Sequence, residues 1–174
     1  NLVRTSEATG MPCMMLENAC YFRNVMMVLN MVRRNVFGEL LHCEGGHQRD
    51  VQHIKNNEQG ELIWRGKPSE TRKENLYPTH PIGPIAQWLN INRGNKFDVL
   101  VSMNSQSRRL HHYIKGKYNS DHLNAQRTFA LGNITTTLLK TRNGATVTLY
   151  HDTRSPRPYD LIFRAQGPEG IYSG

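Results

Sequence analysis

Tyr77 and His80 are the residues of this chain best suited to chemistry. They stand three apart in Leu76-Tyr77-Pro78-Thr79-His80-Pro81, where a charged, irregular region gives way to an apolar run of Ile82, Ile85, Ala86, Trp88 and Leu89. That run predicts a buried helix, and prolines belong in a first turn because the N–H they lack would go unpaired there. Positions i and i+3 share a helix face, so Tyr77 and His80 can address one ligand. The positive helix end disfavours imidazolium, and a neutral imidazole near a phenol can move protons. The same spacing also fits a plainer arrangement, in which His80 caps the helix and Tyr77 packs against it.

Other constellations are weaker. Cys43 and His47, with His42 nearby, have donor types a metal accepts, but no second cluster completes a tetrahedral set, and no metal site is expected. There is no Gly-x-Gly-x-x-Gly and no phosphate loop, so the main cradle of any dinucleotide would lie outside this chain. No Gly-x-Ser-x-Gly elbow occurs. Trp64-Arg65 sets an aromatic beside a guanidinium, which suits a sugar or a carboxylate and equally suits a packing anchor. Arg157-Pro158-Tyr159 presents a phenol at a cleft rim or simply begins a strand. The carboxylates Glu44, Asp50, Asp98 and Asp152 cannot be paired without knowing their separations.

The elements that must position these residues are legible in outline. Pro12 to Asn18 reads as a short apolar strand. Tyr21 to Phe37 reads as an amphipathic helix, with Val25, Val28, Leu29 and Val32 on one stripe and Gly38 at its stop. Glu39 to Glu44 predicts a strand broken by Gly45-Gly46. Residues 50–76 are polar and aperiodic, a long excursion of the kind that is functional or disordered. The helix of His80 is expected to run to about Asn92. A strand over Lys96 to Ser105 follows, with Phe97, Val99 and Val101 on one face. Beyond the basic stretch comes an all-β tail, in which Ile134–Arg142 and Ala145–His151 flank the hairpin signal Asn143-Gly144, and Tyr159–Gln166 forms another strand. This order predicts an α+β fold, a largely antiparallel open sheet with helices on one face.

A chain of 174 residues supports one ordinary core. No apolar run approaches membrane-spanning length, and no membrane span is expected. Three cysteines are too few, and odd in number, for a disulfide framework. The formal charge of +8 invites a nucleic-acid reading, and residues 108–118 interleave cations with aromatics. No nucleic-acid motif accompanies them, and cations are spread along the chain, so a solvated surface or an anion-binding face is favoured over nucleic acid.

Several segments together resemble the NAD-dependent glycoside hydrolases of family 109, within the glucose-fructose oxidoreductase and inositol dehydrogenase superfamily. They are Cys13 to Tyr21, Phe37-Gly38-Glu39-Leu40, Leu76 to His80, Asn90 to Asn95, His151-Asp152-Thr153, Arg157-Pro158-Tyr159 and Phe163 to Gly167. The matches run in order over nearly the whole chain. The resemblance implies that residues 1–20 end an N-terminal Rossmann domain and that residues 21–174 are a C-terminal substrate and oligomerisation domain, truncated at its end. Most contacts to NAD would then lie upstream, and the fragment alone is expected to be inactive. It further implies a bacterial protein, of a kind often exported to the periplasm, that oxidises the sugar at C3, eliminates the C1 substituent, hydrates and reduces, with net retention. α-N-Acetylgalactosaminides are the expected substrates, and a sugar or polyol dehydrogenase or a non-catalytic assembly domain are the alternatives. By the same resemblance His80 matches the base and Tyr77 its partner. Tyr21, Arg65, Tyr77, Pro78, Thr79, His80 and Tyr159 match sugar contacts, and Asn18 matches a cofactor contact.

Overall fold

A computed structural model describes residues 1–174. Its helices are α1 (Leu2–Thr9), α2 (Arg23–Arg33), α3 (Pro68–Thr71), α4 (Thr79–Trp88), α5 (Arg109–Lys117) and α6 (Leu123–Gln126). Its strands are β1 (His42–Gln48), β2 (Phe97–Asn104), β3 (Ile134–Thr141), β4 (Thr146–Asp152), β5 (Phe163–Gly167) and β6 (Gly170–Ser173). The strands form one sheet in the order β2-β3-β4-β1-β5-β6, in which only β1 and β4 run parallel. This is the expected α+β fold with a largely antiparallel open sheet.

Strand alternation builds the core. β3 buries Thr135, Thr137, Leu139 and Thr141 and exposes the residues between them, and β4 buries Val147, Leu149 and His151 on the same side. Helices α2 and α4 cover that side with Val25, Val28, Ile85 and Trp88. Trp88 meets Phe163 of β5 edge-on at 6.3 Å. Each large side chain buried in this layer stabilises the fold by about 1.5–3 kcal/mol relative to exposure.

The expected break at Gly45-Gly46 does not occur: β1 runs straight through both. A Cβ at Gly45 would stand 2.6 Å from Pro81 Cβ and 2.9 Å from Ile85 Cδ1. The glycine is therefore an approach site for α4, and it lets the helix settle on the central strand.

Other boundaries move for identifiable reasons. Residues 12–17 form no strand, because no neighbouring segment receives their backbone hydrogen bonds, and Met14, Met15 and Leu16 are exposed. The segment instead enters a 3₁₀ turn over Asn18–Tyr21. Helix α4 stops at Trp88 rather than near Asn92, since Asn90 and Asn92 take left-handed φ of 53° and 62°. An irregularity between Phe97 and Val99 in β2 sends Phe97 to the core while Val99 and Val101 lie on the opposite face, so the three do not share a side. The basic stretch is the amphipathic helix α5, whose Leu110 and Ile114, at i and i+4, pack on Ala125 and Phe129. The β tail is thus preceded by two helices that the sequence order lacked. The last predicted strand begins later, at Phe163. No helix is long and apolar enough to cross a membrane.

Candidate active site

Glu17 precedes the 3₁₀ turn, and its Oε1 accepts a hydrogen bond from the Ala19 amide at 3.0 Å. The same oxygen lies 2.6 Å from Nδ1 of His80, in the first turn of α4. The pair is largely withdrawn from solvent, with the His80 and Glu17 side chains 18% and 10% exposed. Burial raises the Glu17 carboxyl, but bonds from the Ala19 amide, His80 and Thr79 outweigh it and hold the group below the usual carboxylate range. A carboxylate only accepts, so Nδ1 carries the proton of this bond and Nε2 is the ring nitrogen left to face a ligand.

Three rings gather at this corner. The Tyr77 ring stands 4.7 Å from that of His80, nearly perpendicular at 81°. The His47 ring lies 4.9 Å from Tyr77 and 5.2 Å from His80. His47 comes from β1, directly opposite His151 of β4 in the parallel ladder, with the two imidazoles 6.4 Å apart. Burial first, with His80 and Arg49 close by, pushes His47 down to about 4 against the pull of Glu17. Burial, then Lys55, His47 and Arg154, push His151 down to about 3. Both are neutral near pH 7.

Tyr77, His80, His47 and His151 all line one cavity of about 460 Å³, a size that accepts a small-molecule ligand. The long polar excursion of residues 50–76 supplies much of its remaining wall. Arg65 lies at the wall with its guanidinium 4.3 Å over the Trp64 ring, and Lys55 is buried against it, Nζ donating to Thr153 Oγ1 at 3.0 Å. Burial first, and Arg154 next, lower Lys55 to about 7 despite Asp152 and Asp50.

Sequence reasoning gave no role to Glu17, His47 as a cavity residue, Lys55 or His151. A period-two reading of Cys43, Gly45 and His47 would have put His47 on the helix side, but no local pattern announces the parallel partner that brings in His151. The metal idea fails on geometry: His42 faces away from Cys43 and His47 and bonds Thr146 Oγ1 at 2.8 Å. Cys43 is buried, its thiol pushed up to about 12.

Residues 21–174 match the sequence profile of the glycosyl hydrolase 109 C-terminal domain. The chain belongs to this family. It is 46% identical over 190 residues to an alpha-N-acetylgalactosaminidase of Tannerella forsythia, covering 99% of this chain and 41% of that protein. It is 42% identical to a glycosyl hydrolase family 109 protein of Parabacteroides distasonis, covering 99% of this chain and 41% of that protein. The chain thus spans about two fifths of the length of these relatives. Among solved structures, its fold is similar to an NAD binding oxidoreductase from Klebsiella pneumoniae, with a TM-score of 0.70 at 13% identity over 99% of this chain and 42% of that one. It is also similar to scyllo-inositol dehydrogenase from Lactobacillus casei with bound NAD(H) and scyllo-inositol, with a TM-score of 0.59 at 10% identity over 88% of this chain and 38% of that one.

Within this family 109 domain, the residues singled out by resemblance separate into two groups. Tyr77, His80 and Arg65 line the cavity. Pro78 and Thr79 lie between the first two as the cap and first residue of α4 but are not themselves part of its lining. Tyr159 is exposed and stands outside the lining, joined to it by the Arg49 guanidinium 5.2 Å over its ring. Tyr21 is exposed at the end of the 3₁₀ turn and is not among the lining residues. Asn18 is exposed, opens the 3₁₀ turn and follows Glu17 in the chain, and it is not part of the lining.

Proposed function

We propose that this chain is the substrate domain of an NAD-dependent retaining glycosidase acting on α-N-acetylgalactosaminides. The observation that carries the reading is the Glu17–His80–Tyr77 corner opening on a monosaccharide-sized cavity. The kinship to family 109 and to a named alpha-N-acetylgalactosaminidase supports it. In this reading residues 1–20 close a Rossmann domain, residues 21–174 hold the sugar, and the start of the profile match at residue 21 supports that boundary.

The donor set fits the reactive end of NAD and not its phosphates. Asn18, the residue after Glu17, offers an exposed amide donor and acceptor, while no glycine-rich turn exists to cradle a diphosphate. NAD, when bound, supplies the hydride acceptor and donor. The protein's own residues do the rest. Nε2 of His80 takes the proton of the sugar hydroxyl being oxidised, and Glu17 stabilises the imidazolium that results. A ketone at C3 acidifies C2–H, and the Tyr77 phenol, within van der Waals reach of His80, serves the proton traffic near C2 and the leaving oxygen. Neutral His47 and His151 form a wall that does not compete for protons. Arg65 and Tyr159 hold the sugar at the rim, and Tyr21 completes the contact once the Rossmann domain is docked.

His80→Ala in the full-length enzyme should lower turnover of an aryl α-N-acetylgalactosaminide by roughly 10²–10⁴-fold. Activity within a few-fold of the parent would remove His80 from the mechanism. Likeness to dehydrogenase folds favours a second reading, a sugar or polyol dehydrogenase. It predicts net accumulation of NADH, whereas the glycosidase regenerates its cofactor each cycle. The partners in either case are a carbohydrate, the chain's own Rossmann domain and a second copy docked on the open sheet face.

A further inference from the structure

We propose that the cavity is built for a sugar bearing an oxyanion, a sulfate ester or a carboxylate, with Lys55 as the group that receives it. This deepens the glycosidase reading by naming the substrate class, and it rests on that reading for the sugar. Arg49, Lys55, Arg65 and Arg72 line the cavity, and no Asp or Glu does. A neutral sugar needs hydrogen-bond acceptors as well as donors, and carboxylates commonly supply them; here the charged wall is all donors. Lys55 is 4% exposed and uses one donor, to Thr153 Oγ1, leaving two without a protein acceptor. No carboxylate lies within ion-pair distance of its Nζ.

The nearby acids are already engaged. Asp152 Oδ1 accepts the amides of Arg154 and Ser155, and Asp50 Oδ1 accepts both the amide and the side chain of Gln52. The Arg65 guanidinium carbon stands over the Trp64 ring, and guanidinium groups combine such aromatic contacts with binding of planar or tetrahedral oxyanions. A buried ammonium short of acceptors is costly unless a ligand completes its shell, and a charge-assisted bond is the strong way to do so.

The test is calorimetric titration of the full-length enzyme with N-acetylgalactosamine, its 6-sulfate and galacturonic acid. One or both charged sugars should bind at least about tenfold more tightly than the neutral one. Whichever is tighter identifies the oxyanion. Lys55→Met, similar in volume, should abolish the preference, and Arg72→Gln at the exposed mouth should reduce it. Equal or tighter binding of the neutral sugar by the parent overturns the proposal even if no variant folds. So does a loss in the variants that falls on NAD affinity and spares the charged sugars, which would assign the cations to the cofactor's phosphates. A protein that cleaves the neutral aryl glycoside without any charge preference loses this proposal and keeps the glycosidase; one that prefers charged sugars but cleaves no aryl glycoside does the reverse.

Discussion

Glu17 and His80 are 63 residues apart in sequence and 2.6 Å apart in the fold. Their bond does two things for His80: it fixes the tautomer, and it holds the ring plane against rotation. In the proposed reaction both would make Glu17 a positioning residue, with no need to touch the sugar. Its own anchor, the Ala19 amide, keeps the carboxylate from swinging away when solvent enters. Glu17→Gln preserves size and an accepting oxygen but removes the charge that stabilises imidazolium. In the full-length enzyme we expect kcat to fall roughly 10–100-fold with KM nearly unchanged, by analogy with outer partners of other functional histidines. Steady-state kinetics on an aryl α-N-acetylgalactosaminide would show it, and Glu17→Asp should restore part of the loss. A rise in KM with kcat intact would instead make Glu17 a sugar contact.

At the scale of elements, the site exists because α4 lies directly on β1. Gly45→Ala tests that statement. The new methyl would press on Pro81 and Ile85 in the turn just after His80. Overpacking of this kind costs about 1–3 kcal/mol, and here the strain falls on the helix that carries His80. Denaturant midpoint and kcat should both drop, whereas Gly46→Ala, which meets only Ile162 at 3.3 Å, should be milder. This contact also marks where the sequence stops being readable. Local periodicity was enough for α2, for the hairpin at Asn143-Gly144 and for the start of α4, because those depend on neighbours a few residues away. It was not enough for β1, where the decisive partner of Gly45 lies 36 to 40 residues downstream, at Pro81 and Ile85. Tyr77 and His80 were legible as a pair for the same local reason. Glu17, His47, Lys55 and His151 were not, since each joins the cavity through a sheet register or loop closure that no short pattern encodes. In α5 the two apolar residues Leu110 and Ile114 are outnumbered by cations, so the charge pattern masks the helical period.

Across the whole molecule, two consequences follow from how charge and apolar surface are distributed. The first is acid sensitivity. Unfolded His47 and His151 would take up protons near 6.5, but in the fold they do so only near about 4 and about 3. Between those values the unfolded chain holds more protons, so stability rises with pH and is lost as pH falls below about 6.5, by roughly 3 kcal/mol at pH 4 from His47 alone. Glu17, held low in the fold, adds a further loss below about 4.5. Urea midpoints taken from pH 7.5 to 4.5 should decline, and His47→Gln should flatten the slope. The second concerns the sheet face that carries no helix. Around β1 it is polar and internally paired, with Glu44 Oε2 bonded to Arg164 at 3.1 Å and to Tyr150 at 3.4 Å. Across β2 and β3 it is exposed and mostly apolar, with Val99, Val101, Met103, Ile134 and Leu138 broken only by Thr136 and Lys140. A largely apolar exposed patch beside a settled polar network favours contact with another protein surface, and a two-fold contact lets one patch cover itself. The full-length protein should sediment as a dimer or larger, and Val101→Lys with Leu138→Lys should halve its mass without changing the far-ultraviolet spectrum. A parent that remains monomeric at high concentration, or a double variant of unchanged mass, would mean that this face is covered by something other than a second copy.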